Sequence, residues 1–124
     1  MPTPEQVRET VERYVKARDA GDKDAWIGVF AEHAEQIDPY PQPANVGREA
    51  IATFWDNVRA LVDGFQFTVH QVTVAGDRAA VVFTLTMQSG DTKVAFDGVD
   101  VFEIDDDFVA RLTAYWDPAA MRLL

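Results

Sequence analysis

Three residues that could take part in acid–base chemistry stand in apolar company, each in a different stretch of the chain. Asp100 lies in V-A-F-D-G-V-D-V-F-E-I, Val94 to Ile104, a run whose composition predicts a strand. Side chains alternate along a strand, so Phe96, Asp100, Phe102 and Ile104 share one face, while Ala95, Asp97, Val99, Val101 and Glu103 share the other. A carboxyl on the first face must be paired, reach water at a rim, or keep its proton through a raised pKa, because an isolated buried charge is very costly. Tyr14 falls on the inward stripe of a helix, with its hydroxyl either satisfied by backbone or water or aimed into a cavity. Asp38 ends a short strand just before Pro39, a common place for a turn-initiating aspartate. Two carboxyls and a phenol are the groups of proton transfer, but none of the three supports that reading alone.

The elements that must position these residues follow from periodicity. Thr3 caps a first helix, with Pro4 in its first turn and Gln6 completing a capping box. Val7, Val11, Tyr14, Val15 and Arg18 then recur at helical spacing until Gly21. Asp22 caps a short second helix with Ala25, Trp26, Val29 and Phe30 as its stripe. Ala34 to Asp38 reads as a short strand, after which Pro39, Pro41 and Pro43 forbid helix and regular sheet. A third helix starts near Gly47, turns Ala50, Ile51, Phe54, Trp55, Val58, Leu61 and Val62 inward, and stops at Gly64.

From Phe65 the period becomes two. Phe65, Phe67 and Val69 alternate with polar residues, the phase then flips to Val72 and Val74, and a bulge near Gln71 explains the slip. Gly76-Asp77 and Ser89-Gly90-Asp91 flank a strand from Ala79 to Met87, and Asp105-Asp106-Asp107 turns into a last strand, Val109 to Trp116. Three helices followed by about four hairpin-linked strands predict a single α+β domain over residues 1–124. Its curved antiparallel sheet would wrap around the three N-terminal helices, and the concave mouth is where a small-molecule pocket is expected.

Composition narrows the function by exclusion. Eleven Lys and Arg against 21 acids give a net charge of −10, a field that repels phosphate backbones and argues against nucleic acid as a partner. Without cysteine there is no disulfide framework, thiol nucleophile or thiolate metal site. His33 and His70 lack metal-ligand spacing, and Ser89 lies in a turn with no adjacent base. No stretch approaches the ~18 consecutive apolar residues of a membrane span. The opening M-P-T-P-E-Q has no basic region followed by an apolar run, so a soluble, cytoplasmic protein is expected.

Taken nearly end to end, the chain resembles the bacterial ketosteroid isomerases, within the cone-shaped nuclear transport factor 2-like and SnoaL-like group. The resemblance rests on V-E-R-Y-V-K-A-R-D-A-G-D around Tyr14, I-D-P with Asp38, G-R-E-A-I-A-T-F-W after it, D-G-V-D-V-F around Asp100, and T-A-Y-W near the end. The first helix and G-R-E-A-I support the fold only; the conjunction of Tyr14, Asp38 and Asp100 is the more specific part. The resemblance implies that Asp38 is the general base moving a proton from C4 to C6 of a 3-oxo-Δ5-steroid. It also implies that Tyr14 and a protonated Asp100 donate hydrogen bonds to the dienolate oxygen, the family itself being the type case of an acid kept neutral by an apolar site. It further implies a homodimer, no metal or organic cofactor, and a steroid-facing wall drawn from Phe54, Trp55, Phe83, Val99, Leu112 and Trp116. One departure is that Phe30 and Trp55 stand where some members place tyrosines that support the catalytic one.

Two other classes remain open. One is a non-catalytic domain that binds an apolar ligand or dimerises. The other is a different enzyme on the same fold, such as a polyketide cyclase or an epoxide hydrolase. The hydrolase type would need an Asp-Arg-Asp set around a water, for which Arg18 and Arg111 are the arginines to examine.

Overall fold

The computed structural model describes all 124 residues, Met1–Leu124. Local hydrogen bonds set the starts of the first two helices. The Thr3 hydroxyl accepts from the Gln6 N–H at 3.1 Å and the Thr3 N–H donates to Gln6 Oε1 at 2.7 Å, so the capping box opens α1 (Pro4–Ala20). Gly21 ends that helix in the left-handed region at φ 66°, which glycine adopts without steric cost. Asp22 Oδ1 accepts from the Ala25 N–H at 3.1 Å and starts α2 (Lys23–Val29). Phe30, expected as the end of the α2 stripe, is instead the first residue of β1 (Phe30–Ile37), which therefore begins four residues before the expected Ala34. Ala25 is exposed, so that stripe is carried by Trp26 and Val29.

After the proline loop come β2 (Asn45–Val46) and α3 (Gly47–Arg59). Gly64 does not stop α3, as its position suggested; it begins β3 (Gly64–Ala75), and Leu61 between the two is 74% exposed. The hairpin run continues with β4 (Arg78–Ser89), β5 (Thr92–Asp105) and β6 (Phe108–Trp116). A 3-10 turn (Pro118–Ala120) and β7 (Arg122–Leu123) close the chain.

The strands form one open, curved sheet in the order β2-β1-β6-β5-β4-β3, with β7 beside β5. The sheet is mixed rather than wholly antiparallel, because β1 runs parallel to β6. The expectation of an antiparallel sheet followed from hairpin turns, and no hairpin joins β1 to β6: Phe30 pairs with Val109 and Ile37 with Thr113. Three register shifts interrupt the sheet, one of them between Phe30 and Glu35 where β1 meets β6. Val69 pairs with Phe83 but Gln71 with Val82, leaving His70 unpaired at the bulge that the hydrophobic phase had indicated. The third lies between β5 and β6, where Glu103 pairs with Arg111 but Ile104 with Val109, leaving Ala110 of β6 unpaired.

The concave face carries the core. Tyr14 sits at its aromatic centre, with ring centroids 5.0 Å from Phe102 and 6.0 Å from both Trp26 and Phe30. These are the tilted and edge-on contacts that aromatic quadrupoles favour. The opposite face is polar at Asp97 and Thr84 and apolar at Val82, Val99 and Tyr115.

Candidate active site

Three parts of the chain place the four polar residues of the site. Asp100 lies in mid-β5, with Val81 of β4 and Ala114 of β6 as its cross-strand partners. Neither neighbour's side chain can form a hydrogen bond, and the single methyl of Ala114 leaves room beside the carboxyl. Asp38 follows Ile37 at the end of β1, where the Tyr40 N–H donates to the Ala114 carbonyl at 2.8 Å and fixes the proline loop to β6. Its Oδ1 accepts the Trp116 indole N–H at 2.7 Å, a bond that strengthens when the carboxyl is ionised. On α1, Tyr14 and Arg18 stand one turn apart, which brings them together on a helix surface. Arg18 Nη1 donates to the Tyr14 hydroxyl at 3.4 Å.

These four side chains meet in one cavity of about 230 Å³. Its walls are otherwise apolar. α3 contributes Phe54 and Val58, and the segment after it Leu61 and Val62. The sheet contributes Phe67, Phe83, Leu85, Met87, Phe96, Ala114 and Trp116. Phe67 stacks on Phe83 at 4.6 Å and Phe96 on Trp116 at 4.2 Å, so paired aromatic rings face the space on two strand pairs.

The electrostatics separate the two carboxyls. Burial raises Asp100 well above the ordinary aspartate value and the nearby Asp38 charge raises it further, against a lowering by Arg18. Burial raises Asp38 as well, and the lowering by Arg18 and by the Trp116 hydrogen bond offsets only part of that rise. Both carboxyls are raised, but Asp38 has a cation and an indole N–H that favour its anion, whereas Asp100 has the like charge of Asp38 against it and lacks the indole bond. Burial pushes the Tyr14 phenol up as well, so it remains a donor throughout the ordinary pH range. Burial works against the Arg18 charge, but Tyr14, Asp38 and Asp100 outweigh it and keep the guanidinium protonated. An anionic carboxylate, a neutral carboxyl and a phenol in a dry cavity can accept a proton at one point and stabilise negative charge at another.

Of the wall residues expected from sequence, Phe54, Phe83 and Trp116 line the cavity and Trp55, Val99 and Leu112 do not. Trp55 turns from α3 into the core, 4.9 Å from Trp26. Val99 points to the opposite sheet face, between Val82 and Tyr115. Leu112 shares a strand face with Ala114 and Trp116, yet it pairs with Gln36 and Phe102 and is wholly buried in the core. Asp97 is on the outer face, bonded by Arg122 at 2.7 Å and Thr84 at 2.6 Å, which together hold it below its ordinary pKa. His70 bonds Thr84 at the surface, and no group of three or more His, Asp or Glu is placed to hold a metal ion.

Arg18 is in the cavity, whereas Arg111 is half-exposed on β6 facing Glu35 at 3.8 Å. The signal for Arg18 was a charged residue on an otherwise apolar stripe, four positions after Tyr14. Phe30 meets Tyr14 edge-on without a hydroxyl to offer, and the Trp26 indole N–H makes no well-formed hydrogen bond, although it too favours the ionised phenol. Arg18 is therefore the one hydrogen-bond donor to that oxygen.

The SnoaL-like domain family matches residues 11–112. Among solved structures, the chain is similar to SalBIII, an epoxide hydrolase/cyclase-like enzyme of pyran ring formation in the polyether salinomycin, with a TM-score of 0.90 and 21% identity over 100% of both chains. It is similar to an epoxide hydrolase from M. tuberculosis, with a TM-score of 0.85 and 22% identity over 97% of this chain and 89% of the other. It is also similar to a Δ5-3-ketosteroid isomerase from Mycobacterium sp., with a TM-score of 0.84 and 19% identity over 96% and 98%. At such identities the likeness is one of fold, a fold shared by isomerases, epoxide hydrolases and cyclases.

Proposed function

We propose, starting from the fact that the chain belongs to the SnoaL-like domain family, that it is an acid–base isomerase of 3-oxo-Δ5-steroids. Asp38 removes a proton from C4, and the electrons of that C–H bond pass to the C3 oxygen as a dienolate. Tyr14 and neutral Asp100 donate hydrogen bonds to that oxygen, and Asp38 returns the proton at C6, leaving the double bond at Δ4. The observation that carries this reading is the meeting, in a single apolar cavity, of a carboxyl whose anion has a cation and an indole N–H in its support with two donors that burial keeps protonated. The cavity is smaller than the ~300–1,000 Å³ of common small-molecule sites, so the reacting ring enters and the distal rings remain at the mouth beside exposed Leu61.

The test is the ultraviolet absorbance of the conjugated enone formed from such a steroid. Asp38→Asn should lower kcat by about 10² to 10⁴-fold. Tyr14→Phe and Asp100→Ala should each cost about 10² to 10³-fold, and the two losses should not add, because both donors serve one oxygen. Failure to convert any 3-oxo-Δ5-steroid would sink the proposal, and tight steroid binding without turnover would identify a binding protein.

Arg18 favours a second reading. With Asp38 and Asp100 in the same cavity it completes the residue types of an epoxide-opening set, in which a carboxylate activates water and a neutral acid protonates the epoxide oxygen. Against it, the five ion pairs of the molecule all lie among surface residues, and Arg18 bridges neither carboxylate. Diol formation from an apolar epoxide is the assay that would favour it.

A further inference from the structure

Arg18 is the one charged residue of the cavity that the isomerase chemistry does not use. It is 7% exposed, and its Nε makes no hydrogen bond. Its guanidinium lies 5.8 Å from the centre of the Trp26 ring and 5.3 Å from that of Phe65, within reach of both aromatic faces. Nη1 reaches the Tyr14 hydroxyl. A leucine or methionine would fill this place without the desolvation penalty of a buried cation, so packing gives no account of the charge.

We propose that Arg18 is a positioning residue: its buried guanidinium favours the Asp38 anion and keeps the Tyr14 proton turned into the cavity. The second effect follows from hydrogen-bond inventory. A phenol has one proton to donate, and a guanidinium only donates, so the oxygen that Arg18 approaches serves as acceptor there and its own O–H must point elsewhere. The first effect follows from what surrounds Asp38. The polar groups that line the cavity with Asp38 are Trp116 of β6, which donates to it, Asp100 of β5, Tyr14 of α1 and Arg18 of α1. Arg18 is the only cation among them.

Because Arg18 closes no ion pair with either carboxylate, it supports the Asp38 anion through space without tying up an oxygen that must receive a proton. Trp116 occupies Oδ1, and Oδ2 is left for substrate. Asp100 lies in the same field but lacks the indole bond, so the same cation leaves the two carboxyls in different states.

This inference rests on the isomerase reading only for the use made of the Asp38 anion. Its test therefore reads Asp38 itself, with no substrate present. In protein carrying ¹³Cγ-aspartate, the Asp38 resonance is identified by its loss in Asp38→Asn and followed against pH by NMR. Arg18→Met and Arg18→Gln should raise its titration midpoint by about one pH unit, the low end of what a neighbouring opposite charge contributes. Arg18→Lys, which keeps the charge, should bring it back to within about half of that shift. A midpoint unchanged in either neutral variant, shown to be folded by near-ultraviolet circular dichroism, would overturn the proposal. So would a midpoint in Arg18→Lys displaced as far as in Arg18→Met, since shape and not charge would then be responsible. Unfolding of both neutral variants would make Arg18 a structural residue and overturn it as well.

Discussion

Asp100→Asn should make the protein more stable, by an amount that grows with pH. In the folded state burial, reinforced by the Asp38 charge, holds the Asp100 carboxyl neutral well above 3.8, the ordinary value at which the unfolded chain ionises it. Between those two values the unfolded state has released a proton that the folded state still binds. Stability therefore falls as pH rises, by about 1.4 kcal/mol for each pH unit, until the folded carboxyl also ionises. Asparagine has nearly the same shape and no such titration. The stability difference between variant and wild type should be flat below pH 3.8, climb by about 1.4 kcal/mol per unit above it, and level off at the folded-state pKa. The 20 other acids contribute equally to both proteins and cancel in the difference, apart from Asp38, which shares the cavity.

At this chain length 1 kcal/mol corresponds to roughly 4 °C in Tm, so the climb is about 6 °C per pH unit. Urea unfolding followed by tryptophan fluorescence, or calorimetry, from pH 3 to pH 8 measures it; Trp26 is fully buried and reports unfolding. A difference that stays constant from pH 4 to pH 7 would mean that folded Asp100 ionises normally, and the neutral donor would be lost from the mechanism. Turnover should fall less in Asp100→Asn than in Asp100→Ala, because an amide N–H can still donate to the substrate oxygen.

Trp116→Phe removes the indole N–H that donates to Asp38 at 2.7 Å. A hydrogen bond to a charged group contributes about 1.5–3 kcal/mol, so the acid limb of kcat/KM should move up by about one to two pH units; an unshifted limb would show that the bond does not support the anion. Gly98→Ala places a Cβ 2.7 Å from Phe83 Cζ and 2.9 Å from the Tyr115 carbonyl oxygen. The strain should cost about 1–3 kcal/mol in urea unfolding and raise KM, since the displaced Phe83 ring lines the cavity. Unchanged stability would show that β5 and β6 can part at little cost.

The helices, the strands and the alternation of β5 were legible because their signals are local. Thr3 and Gln6 form a capping box three residues apart, and a period of two puts Asp97 and Asp100 on opposite faces whatever the rest of the chain does. The phase flip after Val69 marked the bulge for the same reason. What the sequence could not divide were residues sharing one face. Phe54 and Trp55 belong to one apolar stripe, as do Leu112 and Trp116 on their strand. Which of each pair meets the cavity depends on how far the bulged sheet curls over α3 and α1, and no short-range pattern carries that curvature.

The amino-acid sequence by itself determined that Tyr14 faces inward from a helix, that Asp38 ends a strand before prolines, and that Asp100 shares its strand face with Phe96, Phe102 and Ile104. Only the tertiary structure decided their chemical states. The parallel pairing of β1 with β6 brings Trp116 to Asp38 across 78 positions of sequence, and the packing of α1 on the sheet sets Arg18 beside Tyr14 in the cavity that holds both carboxyls. Protonation is a property of desolvation and of charges a few ångströms away, and those neighbours exist only once the sheet has closed over the helices.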